Sequence, residues 1–320
     1  MSPLALYLHT YSLRFHLAHQ PGFDVFAFIE RAAAEGFGGV ALSANDVNYR
    51  HLGGRDPARL GRIRQAVAAV GLRCDMDTSG TDPAHLGAML DVARQIGAQQ
   101  VRTYTRYRGA PDVLVRRTIQ DLRAVAPLAE RFGIRVMLEN HETFTGAEIA
   151  HVLAAVDSPW IGALYDYGNS QMVMEEPLAA LEAMAPWVMS AHLKDNVLLR
   201  PEDSPDGQLA VLGMPIGEGN LPILAQTRRL VEVGLDRIVF ENSWGYRAPV
   251  RPERLTAATR RILGQGSFAF AEPPLRNERY LLHPERFTPA QLVAMEDEAH
   301  QRSLTWLRRA FAAAGIEIGR

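Results

Sequence analysis

"LAERFGIRVMLENH", Leu128 to His141, decides how this chain folds. Its first half closes an amphipathic helical pattern on Gly133, which suits a helix C-cap. Its second half, Val136, Met137 and Leu138, reads as a buried strand that ends in Glu139, Asn140 and His141. The same handover from helix through glycine to strand recurs in "EGFGGVAL", "VGLRCDM" and "VGLDRIVF". Working outward, strands are expected at Ala5–His9, Gly39–Ser43, Arg73–Asp77, Gln100–Tyr104, Arg135–Glu139, Ile161–Asp166, Val188–Lys194 and Arg237–Glu241. Stretches such as "FDVFAFIERAAAEG", "PARLGRIRQAVAAVG" and "HLGAMLDVARQIGA" between them carry apolar residues at helical spacing. Eight βα units over roughly 265 residues predict a parallel sheet closed into a (β/α)8 barrel. A doubly wound sheet would carry a glycine-rich phosphate loop after its first strand, and "HTYSLRF" has none.

The pattern breaks after Gly264. "GSFAFAEPPLRNERYLLHPER" is irregular, and a long helix follows with Thr288 as N-cap and Pro289 at its first position. Residues 1–265 are therefore read as the barrel and 266–320 as a helical extension, packed on the barrel or on a partner subunit of a homo-oligomer.

Composition narrows the class. In 320 residues, 47% are hydrophobic and 22% charged, which is ordinary for a soluble globular chain. A formal charge of -2 provides no global pull towards nucleic acid or anionic membrane. The single cysteine excludes an internal disulfide, no run is long enough to span a bilayer, and "MSPLALYLHTYSL" lacks a basic leader; a cytoplasmic protein is expected.

A barrel of this kind builds its site at the carboxyl ends of its strands. The last four strands deliver Glu139, Asp166, His192 and Glu241 to one rim. Each alone reads as a cap, a solvated acid or a core histidine. Together they would repel and lose hydration unless something cationic sat among them. Lys194 supplies part of that charge, and a divalent metal accounts for all four. Three carboxylates and an imidazole suit Mn²⁺ or Mg²⁺, with Co²⁺ or Zn²⁺ as alternatives.

"LENH", "YDYGN", "HLKDN" and "GMPIGEGN" resemble the sugar phosphate isomerase/epimerase family of xylose isomerase-like barrels over roughly residues 4–265. That superfamily includes tagatose and psicose 3-epimerases, inosose dehydratases, hydroxypyruvate isomerases, 3-dehydroshikimate dehydratases and endonuclease IV. The resemblance maps the family's metal ligands onto Glu139, Asp166, His192 and Glu241, and its glycine-rich turn onto Gly217, Glu218 and Gly219. It implies that Glu139 and Glu241 also act as the acid/base pair on a keto-sugar or sugar acid. The proton would pass through an enediolate, giving isomerisation or epimerisation. "HLKDN" departs from the ketose epimerases, which tend to carry an arginine soon after that histidine, and leans towards the lyase branches: decarboxylase, dehydratase or 3-keto-glycoside-cleaving.

Residues two apart on a strand share a face, so His141 and Lys194 are expected beside Glu139 and His192, touching substrate. Arg102, Tyr104 and Arg106 in "VRTYTRYR" offer a phosphate or carboxylate site, or a solvated basic loop. Trp244 could floor a sugar ring, with His9, Tyr11, Asn45, Asp46 and Tyr49 as pocket walls. Against an endonuclease IV-like repair enzyme stand the charge and the lack of further ligands at most other strand ends. Against a non-catalytic sugar-binding subunit stands the complete ligand set.

Overall fold

The computed structural model describes residues 3–45 and 51–319, so the expected wall positions Asp46 and Tyr49 lie outside the described residues. In chain order the strands are β1 (Leu4–His9), β2 (Gly39–Ser43), β3 (Arg73–Asp77), β4 (Gln100–Thr103), β5 (Arg135–Glu139), β6 (Ile161–Asp166), β7 (Val188–Leu193), β8 (Asp195–Leu199), β9 (Ala210–Met214), β10 (Arg237–Phe240), β11 (Arg247–Pro249) and β12 (Ile318–Gly319). Strands β1 to β7 and β10 are parallel, and β10 pairs back onto β1 with Ala5 opposite Arg237, closing the barrel. The helices are α1 (Arg14–His19), α2 (Val25–Ala34), α3 (Pro57–Ala69), α4 (Pro83–Ile96), α5 (Pro111–Phe132), α6 (Gly146–Val156), α7 (Pro177–Met184), α8 (Ile223–Glu232), α9 (Asn277–Tyr280) and α10 (Pro289–Ala313).

Local chemistry sets these boundaries. Asp24, Asp56 and Asp82 cap α2, α3 and α4 by accepting backbone N–H groups, and Thr145 with Glu148 forms a capping box on α6. At the end of α5, Gly133 takes φ 66°, the left-handed turn that lets the chain reverse directly into β5.

Strand parity then separates two interiors. Val136 and Leu138 point outward into the main core with Leu122, Val125 and Ala129 of α5. Alternate residues point into the barrel, where Ala5, Tyr7, Ala41 and Val239 pack as a separate small cluster. The inward register continues to the rim, so His9, Asp77, Arg102, Glu139, Asp166, His192 and Glu241 share one end.

One element departs from expectation. "NVLLRPEDSPDGQLAVLGMP" reads as a long loop, yet β8 and β9 pair antiparallel within it and β11 adds a third strand. The turn Ser204–Gln208 carries an Asp-Gly pair with Gly207 at φ 69°, a hairpin signal between two apolar runs. Residues after Gly264 return to the barrel: β12 pairs with β1, and α10 packs on α1. No helix of the described residues is long and apolar enough to cross a membrane.

Candidate metal centre and active site

A cavity of about 390 Å³ opens at the carboxyl ends of the barrel strands. Among its walls are His9, Tyr11, Arg102, Glu139, Lys194 and Glu241. Asp166 and His192 lie beneath it, fully buried.

His192 is the hub. Its Nδ1 lies 3.4 Å from Glu241 Oε2 and 3.7 Å from Glu139 Oε1, and its Nε2 lies 3.4 Å from Asp77 Oδ2. One donor atom each from Glu139, Asp166 and His192 lies close enough to the others that a single ion could touch all three. A second trio with the same property, His9, Asp77 and His192, shares the imidazole. Asp77, however, is already hydrogen-bonded to His9 Nε2.

Two fixed cations stand among these acids. Arg102, expected to receive a substrate anion, instead lies with Nε 3.3 Å from Glu139 Oε2 and Nη2 3.6 Å from Asp77 Oδ2, and it donates to the Thr78 carbonyl. Its guanidinium is thus turned towards the protein's own acids. Lys194 Nζ lies 2.8 Å from Asp166 Oδ2 and 3.3 Å from Glu241 Oε2, and donates to Asn169 Oδ1. Asn169 in turn donates to Glu139 Oε1 at 3.2 Å, linking the lysine to the glutamate.

These contacts set the protonation states. Burial opposes ionisation of Glu139, but Arg102, followed by His141 and His192, outweighs it and holds the carboxyl far below the usual range. Glu241 is likewise held low, with Lys194 and His192 overcoming its burial. Burial would discharge Lys194, yet Asp166, Glu241 and Glu139 push its pKa up, so it remains an ammonium.

The charge count is informative. Asp77, Glu139, Asp166 and Glu241 are four buried carboxylates, and Arg102 and Lys194 are two buried cations. Burial would discharge His192, yet Asp77 and Glu241 push its pKa up, so without a cation the ring tends to keep a proton. As a metal ligand it must be neutral, and counted so, two negative charges are left over in a low-dielectric site. Glu139 Oε2, Asp166 Oδ2, Glu241 Oε2 and both ring nitrogens of His192 carry no hydrogen bond of proper geometry, although cations stand within ion-pair range of the oxygens. A divalent cation fits both the charge and the unsatisfied donor set.

Other expected residues sort clearly. His141 lies 3.2 Å from Glu139 Oε2 and stacks on Tyr104, ring centroids 3.7 Å apart, on the cavity wall. His9, Tyr11 and Asn45 also line the cavity. Trp244 does not. Its ring is buried with Leu281, Leu292 and Ala299, and its Nε1 donates to the Arg279 carbonyl at 2.7 Å. It anchors the C-terminal extension, and the cavity takes its aromatic wall from Tyr11, Tyr104 and Tyr246 instead. The Gly217–Gly219 turn is held by Asp195, whose carboxylate accepts from Gly217, Gly219 and Leu221 N–H groups. A Cβ at Gly219 would sit 2.3 Å from Asp195 Oδ1.

Asp77 was missed by the sequence reading. It ends a strand as Glu139 does, so the same signal was available at the third strand.

Comparison with known proteins places this geometry. The family model described as xylose isomerase-like TIM barrel matches residues 29–264. The uncharacterized protein YihM of Escherichia coli (strain K12) is 25% identical over 233 residues, covering 73% of this chain and 70% of that protein. The 3-oxo-isoapionate decarboxylase of Pectobacterium atrosepticum is 29% identical over 179 residues, covering 55% of this chain and 62% of its own length. A crystal structure of D-psicose 3-epimerase in the presence of D-fructose superposes with a TM-score of 0.63 at 12% identity, covering 98% of this chain and 100% of that one.

Proposed function

This chain belongs to the xylose isomerase-like TIM barrel family, and from that premise we propose that it is a divalent-metal-dependent enzyme that carries a small keto-sugar or keto-sugar acid through an enediolate. The observation that carries the reading is the set of four buried carboxylates around His192, faced by two buried cations, Arg102 and Lys194. Glu139, Asp166, His192 and Glu241 are the proposed ligands, and the oxygen-rich set favours Mn²⁺ or Mg²⁺ over Co²⁺ or Zn²⁺. Such an ion supplies polarisation of the substrate carbonyl and stabilisation of the charge that develops on it.

The protein's own groups do the rest. Glu139 and Glu241 approach His192 from different strands and are both held ionised, so either can accept the proton of the carbon beside the carbonyl. Epimerisation follows when the other carboxyl, after taking a proton from solvent or a substrate hydroxyl, delivers it to the opposite face of the same carbon. Isomerisation follows when the first carboxyl returns the abstracted proton to the adjacent carbon. Lys194 keeps its proton and offers it as a hydrogen bond to the oxygen where charge grows. Arg102 keeps Glu139 ionised and aimed. His9 and His141, on the cavity wall, are suited to substrate hydroxyls.

A lyase is the second reading, favoured by the identity with a decarboxylase. Loss of CO₂ from a 3-keto acid leaves its electron pair in the same enediolate, so the same residues serve.

The test is metal analysis of the purified protein with a screen of keto-sugars and their acids, with and without chelator. Chelation should abolish turnover, and Glu139→Gln or Glu241→Gln should each lower kcat by about 10³-fold. Unchanged metal content and turnover in both variants would show that the site has been misread. Solvent deuterium entering the substrate marks proton transfer, and released CO₂ marks the lyase.

A further inference from the structure

A second cavity of about 390 Å³ adjoins the first and shares Tyr104, Arg106, His141 and Glu142 with it. We propose that this outer lobe is an oxyanion subsite, in which Arg106 and Arg108 hold a carboxylate or phosphate at the end of the substrate remote from the reacting carbonyl.

The argument rests on which charges are already spent. Three arginines line the lobe: Arg106, Arg108 and Arg251. Arg251 is committed, donating to the Glu142 carbonyl at 2.7 Å and lying 3.2 Å from its carboxylate. Among the described residues Arg106 has one hydrogen bond, to the Tyr104 hydroxyl at 3.4 Å, and lies near that ring. Arg108 has no carboxylate partner among the described residues, and neither has Arg106.

The acids nearby do not neutralise them. Glu142 also accepts from the Tyr246 hydroxyl, so its carboxylate is shared between Tyr246 and Arg251. It holds this position from a left-handed backbone, φ 38°, a conformation that a non-glycine residue keeps only where its surroundings enforce it. Glu253 is the one other acid on the wall. The lobe therefore keeps one positive charge in excess, next to an inner site in which a bound divalent ion would do no more than balance the carboxylates. An anionic group on the substrate would be drawn outward, which orients the carbonyl inward.

Aromatic stacking is the weaker alternative for this lobe. The Tyr107 face is covered by Arg117 at 3.5 Å from the ring centroid, and its hydroxyl donates to Asp121. A paired guanidinium site suits an oxyanion, because planar forks match its oxygens.

The inference deepens the proposed function, and its test has two arms so that the two stand or fall separately. In the first, metal-free protein is titrated with inorganic phosphate alone. Wild type should bind with a millimolar dissociation constant, weakened about tenfold or more in the Arg106→Ala/Arg108→Ala variant. No binding to wild type, or equal binding to both, overturns the subsite.

In the second, Mn²⁺-loaded protein is titrated with D-fructose, D-fructuronate and D-fructose 6-phosphate, which share the ketone end and differ at C6. One anionic probe should bind about tenfold more tightly than fructose, and the arginine variant should lose that advantage while binding fructose as wild type does. Preference for fructuronate assigns a carboxylate, and preference for the phosphate ester assigns a phosphate. Equal affinity for all three overturns the subsite and leaves the metal centre standing. Failure of wild type to take up Mn²⁺ overturns the metal reading, and the phosphate titration then decides the subsite alone.

Discussion

Lys194 illustrates how much a single residue's role depends on what stands beside it. Its ammonium is 2.8 Å from Asp166 and 3.3 Å from Glu241, so it occupies the same field of negative charge that would draw a metal. The two cations compete electrostatically, and at short range in a partly buried site each such contact is worth a few kcal/mol at an effective dielectric of about 20. Lys194→Met should therefore bind Mn²⁺ more tightly, by about tenfold or more, while kcat falls by about 10²-fold because a hydrogen-bond donor to the developing oxyanion is lost. Metal titration alongside steady-state kinetics checks both. A variant with weaker metal binding and normal kcat would assign the lysine a purely structural part. Asp166 is the partner to watch, because burial and its acidic neighbours already press its pKa upward against the pull of Lys194.

At the scale of elements, α10 is fastened to the start of the barrel by polar contacts as well as apolar ones. Glu296 accepts from the Phe15 and His16 N–H groups and lies 2.7 Å from His16 Nδ1. Glu35, at the end of α2, meets His300 Nε2 at 2.7 Å and Arg31 at 3.0 Å. Burial works against its charge, yet the His300 hydrogen bond and then Arg31 bring its pKa down to about 2 from an ordinary 4.5. A carboxyl lowered on folding contributes stability above the unfolded value, and that stability is lost as pH falls from about 4.5 towards 2. Glu35→Gln should thus cost about 1–3 kcal/mol at pH 7 and flatten the acid limb of the stability curve, measured by urea unfolding across pH. Identical acid limbs would mean that the Glu35 contacts add nothing to what Glu296 and the apolar residues Leu304, Leu307 and Phe311 already hold. Thr288 as N-cap with Pro289 after it was legible in sequence, because it needs only neighbouring residues, and the structure adds Gln291 to complete a capping box. The destination of Trp244 was not, since Leu281, Leu292 and Ala299, which bury it, lie 37 to 55 positions downstream, on the extension.

For the molecule as a whole, a barrel closed around four acids and two bases carries its own electrostatic cost. Any divalent ion that relieves the surplus binds the folded state and not the unfolded chain, so it must raise stability by mass action. At a free Mn²⁺ concentration near 100 times the dissociation constant the gain should be about 2.7 kcal/mol, seen as a rise in Tm. Asp166→Asn removes one proposed ligand and one negative charge, and should remove most of that rise. A metal-independent Tm in the wild-type protein would contradict the fit described above.

The barrel was legible because its signals are local and repeated. Gly133 between α5 and β5 requires only its own backbone conformation, and every expected barrel strand reappears within about a residue of its predicted bounds. The acids at the ends of β5 and β6, and Glu241 just after β10, were legible for the same reason: a strand's end and a residue's parity are properties of a short segment. Asp77 went unread although the rule applied to it equally, and β8 and β9 went unread because their pairing depends on a turn between two short runs. What sequence alone determined is the alternation of strand and helix, the caps and the chemistry delivered to one rim. Tertiary structure decided which charges meet: Arg102 turned inward to Glu139, Lys194 reached Asp166, and Arg106 and Arg108 were left with no carboxylate among the described residues. Charge pairing is set by distances between residues far apart in the chain, and only closure of the barrel fixes them.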